Sequence, residues 1–252
     1  MRIVSLLPSA TEIAAALGLQ DQLVGVSHEC DFPASVAALP RLTASVLDHG
    51  LSPADIDAAV KKAGLRRQPL YTVDGDRLTA LAPDLILTQG VCTVCAVTPQ
   101  AIGEAITFAR LDTALSTPVL SLSGTDFAGV LADIRAVGQA AGEPERAAAL
   151  AADLEARWDA LAARAPSEGP RVLMLEWPDP PWTGGHWVPE QIAAAGGVAL
   201  LGEPGQPSRR LNWAEVEAAD PDIVLGAACG YDLDQNAKHF GALVAAGPLG
   251  QL

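Results

Sequence analysis

No apolar stretch in the 252-residue chain approaches the roughly 18–20 residues needed to cross a bilayer. Basic side chains are scarce as well: 16 Lys and Arg stand against 30 Asp and Glu, a formal charge of −14. That balance repels phosphate backbones and anionic lipid surfaces, so nucleic acid and membrane insertion are not expected. Half the residues are hydrophobic and only 18% are charged, so the acidity does not make a disordered tail. Four cysteines are too few for a disulfide scaffold. A G-x-S-x-G elbow, a G-x-G-x-x-G fingerprint and a P-loop are all absent, which removes the usual signs of an activated serine or a bound nucleotide. Ser9 and Thr11 read as helix-capping residues rather than nucleophiles. Glu176 and Asp179 follow a strand, but carboxylates are so frequent here that they make weak acid/base candidates. No catalytic residue is assigned, and an enzyme is not expected.

The start of the chain has no basic segment leading into an apolar one, and Met1–Pro8 runs straight into a strand pattern. The expected location is cytoplasmic if the sequence is complete, and periplasmic or cell-surface if a leader has been trimmed.

Short β-branched runs alternate with Ala-rich helical stretches, the pattern of α/β architecture with parallel strands. Strands are expected at Ile3–Leu7, Leu23–Ser27, Leu85–Thr88, Val119–Leu122, Val172–Glu176 and Ile223–Gly226, all nearly continuous apolar runs suited to burial on both faces. Helices are expected to begin near Ser9, Ser52, Thr98, Asp126, Glu143, Trp187 and Trp213. Ser9 with Glu12 forms a capping-box pattern, and Gly18 supplies a stop. The two halves echo each other: Glu12–Gly18 matches Glu190–Gly197, and Ala80–Leu87 matches Ala218–Leu225, in the same order. Between them, Leu150, Leu154, Trp158 and Leu161 recur at helical spacing. The expected organisation is an amino-terminal lobe over 1–125, a connecting helical segment over 126–165 and a carboxy-terminal lobe over 166–252. The fold class is thus two parallel-sheet α/β lobes joined by a long interlobe helix, with a ligand cleft between them.

In open parallel sheets, ligands bind beyond the carboxyl ends of the strands. The segments in that position hold all four cysteines and most of the tryptophans. His28, Cys30, Cys92 and Cys95 could form a thiolate/imidazole site for zinc or iron. Equally, they could be small half-buried thiols lining tight turns. Trp177, Trp182 and Trp187 lie within 11 residues that also carry prolines and glycines. Rigid aromatic surface of this kind suits a flat, bulky ligand, although it would also serve as a hydrophobic staple. Trp213 either rims the same site or packs in a helical core. Gln89 and Tyr231 complete the post-strand candidates.

Several segments together resemble one family. They are Arg2–Gly18 with its Leu-Leu-Pro-Ser-Ala-Thr-Glu run, Gly25-Val26-Ser27, Asp31-Phe32-Pro33, Leu81–Leu87, Pro180–Gly185 and Asn212–Leu225. They are similar to the helix-linked periplasmic substrate-binding proteins that serve iron-siderophore, haem and vitamin B12 importers, and most of all to the cobalamin-binding members. The resemblance implies a non-catalytic two-lobe clamp that needs no cofactor and works as a monomer, with a cobalamin-like corrinoid or related metal-chelate as ligand. By position it adds Phe32 to the aromatic cleft residues and implies an ABC permease as partner. Docking on that permease would use one acidic residue per lobe, Asp76 in the first and Glu215, beside the matching Ala214, in the second. Members of the family usually continue beyond the equivalent of Leu252, so the second lobe is expected to be shortened. The His/Cys features lie outside the cobalamin-binding pattern, which leaves a cytoplasmic thiol-based metal or redox protein as the alternative.

Overall fold

The computed structural model describes residues 1–47, 50–66, 68–90, 102, 117–166 and 168–251. The helix expected near Thr98, together with Cys92 and Cys95, lies outside them. The chain divides into two compact units. One comprises Met1–Gly50, Ala59–Gly124 and Ala128–Asp153, and the other Leu51–Ala58, Thr125–Phe127 and Leu154–Leu252.

The first unit is built on a four-stranded parallel sheet of order β2-β1-β5-β6, with β1 at Ile3–Ser5, β2 at Leu23–Val26, β5 at Leu85–Gln89 and β6 at Val119–Leu122. Beside it runs a small antiparallel pair, β3 (Thr43–Ser45) with β4 (Tyr71–Val73). Its core gathers Val4, Leu6, Leu42, Leu78, Ile86 and Ile102. Burying each such side chain contributes about 1.5–3 kcal/mol. Helix α1 (Pro8–Ala16) does not use the Ser9/Glu12 capping box. Its N-cap is Leu7, in extended conformation without a side-chain cap bond. Pro8 explains the shift, because a proline fits the first helical turn, where no N–H is needed. Thr11 is no cap either: its buried hydroxyl donates to Ser5 Oγ at 2.8 Å.

The second unit holds β7 (Arg171–Pro178), β8 (Pro181–Thr183), β9 (Val198–Ala199) and β10 (Ile223–Gly226). Strands β10 and β9 pair parallel to β7, but β8 folds back antiparallel, so this sheet is mixed rather than purely parallel. Leu173, Leu175, Leu211 and Val216 form its core, with Trp213, Val224 and Phe240 packed against them. Helices α2 (Pro53–Arg66), α3 (Gly75–Ala80), α4 (Phe127–Ala141), α5 (Pro144–Ala162), α6 (Val188–Ala194), α7 (Trp213–Ala218) and α8 (Leu233–Ala246) complete the described elements. Among the described residues, no helix is long and apolar enough to cross a membrane.

The internal echo is structural. Helices α1 and α6 both end in a positive-φ glycine, Gly18 at 72° and Gly196 at 91°. After α3 and α7 the chain passes through Ala82 (φ 42°) and Asp220 (φ 46°), non-glycine residues at matching places. Each then enters a Pro-Asp turn whose carboxylate takes the backbone N–H of a strand-leading arginine: Arg2 to Asp84 at 2.7 Å, Arg171 to Asp222 at 2.6 Å. In return Asp84 N–H donates to the Arg2 carbonyl and Asp222 N–H to the Arg171 carbonyl. The arginine side chains close both copies, reaching the carbonyls of Leu81 and Ala219.

Helix α5 has 19 residues, so it is about 28 Å long, and it passes from the first unit into the second after Asp153. Its buried positions are Ala147 and Ala151, whereas Leu161 is 46% exposed. The helix therefore packs on small residues more than on the expected leucine stripe. At that contact a Cβ added to Gly138 of α4 would overlap Ala147 Cβ. Gly138→Ala should therefore destabilise the protein by about 1–3 kcal/mol, despite alanine's better helix propensity. Gly64→Ala, in α2 with nothing near the added atom, should instead stabilise it by about 0.5–1 kcal/mol. Thermal unfolding of the two variants checks both signs, and equal behaviour would refute the close-packing account.

Candidate functional site

Because β7 and β10 run parallel, their carboxyl ends lie together, and the aromatic residues gather there. A bulge between Leu175 and Trp177 puts Trp177 out of step with the core-facing Leu173 and Leu175. Trp177 then stands opposite Trp182 across the β7–β8 pair. Directly opposed residues share a face of the sheet. The Trp177 ring centroid is 5.2 Å from that of Tyr231, and Tyr231 stacks on His239 at 5.2 Å. Both indole N–H groups are engaged. Trp177 Nε1 donates to the carbonyls of Pro53 and Asp179, each at 3.1 Å, and Trp182 Nε1 donates to Asp57 Oδ1 at 3.3 Å. Pro53 and Asp57 open α2 within the same unit.

Tyr231 is held from its backbone: Asn236 Nδ2 donates to its carbonyl at 3.0 Å, while Asn236 Oδ1 accepts from Ala228 N–H at 2.7 Å. Burial pushes the Tyr231 phenol up from its ordinary value. Beside the hairpin turn opens a cavity of about 500 Å³, walled by Asp179, two prolines, Arg210 and the start of α7 with Trp213.

Trp177, Trp182 and Tyr231 thus come together. Trp213 lines the adjoining cavity and packs against the core of the second unit. Trp187 is the N-cap of α6, 38% exposed, with its ring 5.8 Å from His186. The remaining candidates belong to the first unit. Phe32 is 61% exposed. Gln89 is buried at the end of β5, beside β6, so it is not a surface contact.

Cys30 is buried, its thiol 3.1 Å from Thr11 Oγ1, and its carbonyl is held by Arg41. Burial pushes that thiol up, which opposes the thiolate a metal would need. His28 Nδ1 pairs with Thr43 Oγ1 at 2.7 Å. His28 Nε2 is covered and lies 3.1 Å from Glu29 Oε1, off the line of a hydrogen bond. Pairing with His28 holds the Glu29 carboxyl below its usual range. Among the described residues, no group of three His, Cys, Asp or Glu could hold a metal ion.

Asp76 is exposed in the first turn of α3. Glu215 is committed elsewhere: it completes the Asn212 capping box and takes Arg209 at 2.9 Å. Those contacts, the Asn212 backbone first, lower its carboxyl from the ordinary value.

Sequence reasoning missed His239, Asp57 and Arg210. His239 sits alone in a helical pattern, and Asp57 lies 125 residues before Trp182, the ring it meets, so neither carried a local signal. For Arg210 the signal that could have found it is an Arg-Arg pair three residues before Trp213 in a chain short of cations.

Half-buried rings at the carboxyl ends of parallel strands, with an open cavity beside them, mark a small-molecule-binding protein of the α/β class. A family model described as periplasmic binding protein matches residues 3–242, and the chain belongs to that family. The vitamin B12-binding protein of Vibrio cholerae serotype O1 (strain ATCC 39541 / Classical Ogawa 395 / O395) is 25% identical over 230 residues, which is 89% of this chain and 69% of that one. Two solved structures share the fold. The periplasmic haem-binding protein RhuT from Roseiflexus sp. RS-1 has a TM-score of 0.66 at 24% identity, over 99% of this chain and 86% of that one. The periplasmic vitamin B12 binding protein BtuF of Vibrio cholerae has a TM-score of 0.61 at 24% identity, over 89% and 75% respectively.

The two described cysteines should separate by reactivity. With iodoacetamide at pH 8, peptide mapping should find the exposed Cys229 alkylated at least about a hundredfold faster than the buried Cys30. Because the folded Cys30 thiol is the weaker acid, its contribution to stability is complete below the unfolded value of about 8.5 and declines as pH rises beyond it. Comparable labelling rates would contradict the inward placement of Cys30.

Proposed function

We propose that this protein is the ligand-capturing component of an ABC-type importer, working outside the cytoplasm, and that its ligand is a corrinoid of the cobalamin type. The observation that carries this reading is the ring array of the second unit: Trp177 opposite Trp182, and Trp177 against Tyr231. Flat aromatic faces with their N–H groups already satisfied suit a broad, mostly apolar macrocycle. Similarity to the Vibrio cholerae vitamin B12-binding protein supports the same ligand class. The protein acts by binding alone, without turnover, and Asp76 offers an exposed acidic side chain in the first unit for a permease contact.

Haem is the second reading. Tyr231 stacks on His239, and both side-chain types ligate haem iron. Burial pushes the Tyr231 phenol up from its ordinary value, which makes the phenolate that iron would bind harder to form and favours the corrinoid.

Absorbance and calorimetric titration with cyanocobalamin, dicyanocobinamide, haemin and a ferric siderophore tests the choice. A corrinoid should bind with a Kd of about 1 µM or tighter, and Trp177→Ala or Trp182→Ala should each weaken it about tenfold or more. Silence towards all four at tens of micromolar would sink the reading, and a response to haemin alone would favour the second.

A further inference from the structure

Two polar groups in the cavity beside the hairpin turn are already spent. Glu215 Oε1 accepts from Arg209, and its Oε2 accepts from both the backbone and side-chain nitrogens of Asn212. Asn212 Oδ1 in turn accepts from Glu215 N–H. Three groups on the same walls remain uncommitted: the Arg210 guanidinium, the Trp213 indole N–H and the Asp179 carboxylate have no hydrogen-bond or ion-pair partner among the described residues.

Arg210 and Trp213 can only donate, and an ionised Asp179 can only accept. Arg210 is bridged to Trp182 across the backbone, and Asp179 sits in the β7–β8 turn, so the donor and the acceptor come from different segments of a fixed frame. A ligand group that satisfies both must accept and donate. A carboxamide does so, its oxygen taking Arg210 or Trp213 while its NH₂ gives to Asp179. A carboxylate would gain Arg210 but leave Asp179 facing a like charge, and an ammonium would fail in the opposite sense.

We infer that this cavity is a subsite for a carboxamide arm of the ligand and that it discriminates against carboxylate arms. The inference rests on the corrinoid reading above, because the corrin ring is edged with such amides, and it makes Asp179 and Arg210 the residues that set the preference. Both are exposed, and the Asp179 atom that supports Trp177 is its backbone carbonyl, so substitution of either side chain leaves the frame intact.

The test is absorbance titration of the purified protein with dicyanocobinamide, whose ring arms are carboxamides, and with dicyanocobyrinic acid, whose arms are the corresponding carboxylates. The amide form should bind about tenfold or more tightly than the acid form. Asp179→Asn should bring the two within about threefold by improving the acid form. Arg210→Ala should weaken both. Equal affinity of the unmodified protein for the two, or a preference unmoved by Asp179→Asn, overturns the subsite while leaving the corrinoid reading standing. If neither corrinoid binds, both fall together.

Discussion

A two-way bond at the foot of a central strand organises each half of this protein. Arg2 and Arg171 lead β1 and β7, and each exchanges backbone and carboxylate bonds with the aspartate of a Pro-Asp turn. These are exposed hydrogen bonds from backbone N–H groups rather than ion pairs, and each is worth only about 0.5–1.5 kcal/mol by itself. Their weight lies in register. Side chains alternate along a strand, so a slip of one residue would exchange the side chains presented to its two faces. The turn fixes Ile3 beside Leu85 and Ile223 beside Val172, and everything at the far, carboxyl end of those strands inherits that alignment. The Trp177 and Tyr231 loops meet because the bottoms of β7 and β10 are pinned.

This bond also explains which parts of the fold could be read from sequence. Parallel strands covered on both faces must be nearly continuous apolar runs, so β1, β2, β5 and β7 announce themselves. Strands β6 and β10 carry the same kind of run although Val119, Ile223 and Leu225 are exposed, and the Pro-Asp echo marks the same turn twice. Strands β3, β4, β8 and β9 are only two or three residues long, below any usable period. The capping box misled at α1 because Pro8 satisfies the first helical turn by removing a donor, which leaves Ser9 nothing to cap.

The site divides along similar lines. That aromatic residues would collect beyond the strand ends follows from composition, since rings are few and cluster in those segments. That Trp177 faces Trp182 depends on a single bulge, and alternation alone would have pointed Trp177 the same way as Leu175. Cys30 and Gln89 follow strands as a ligand contact would, yet each is turned inward by a local bond or by sheet pairing that spacing cannot express. His239 and Asp57 approach from remote helices, so only three-dimensional packing reveals them.

The division between committed and free polar groups carries the functional argument furthest. Trp177 and Trp182 have their N–H donors fixed by Pro53 and Asp57, so their rings are ordered before any ligand arrives. Ordering interface side chains on binding costs about 0.5–1.5 kcal/mol each, a cost this arrangement has largely met on folding. Among the described residues, Arg210, Asp179 and the Trp213 N–H have no partner in the adjoining cavity. Fixed rings supply contact area that any flat ligand could use, so they give affinity with little discrimination. Free donors and acceptors at the edge choose among flat ligands by what those ligands carry at their rims. In a chain with so few cations, an arginine without a partner among the described residues is the feature on which the proposed ligand preference turns.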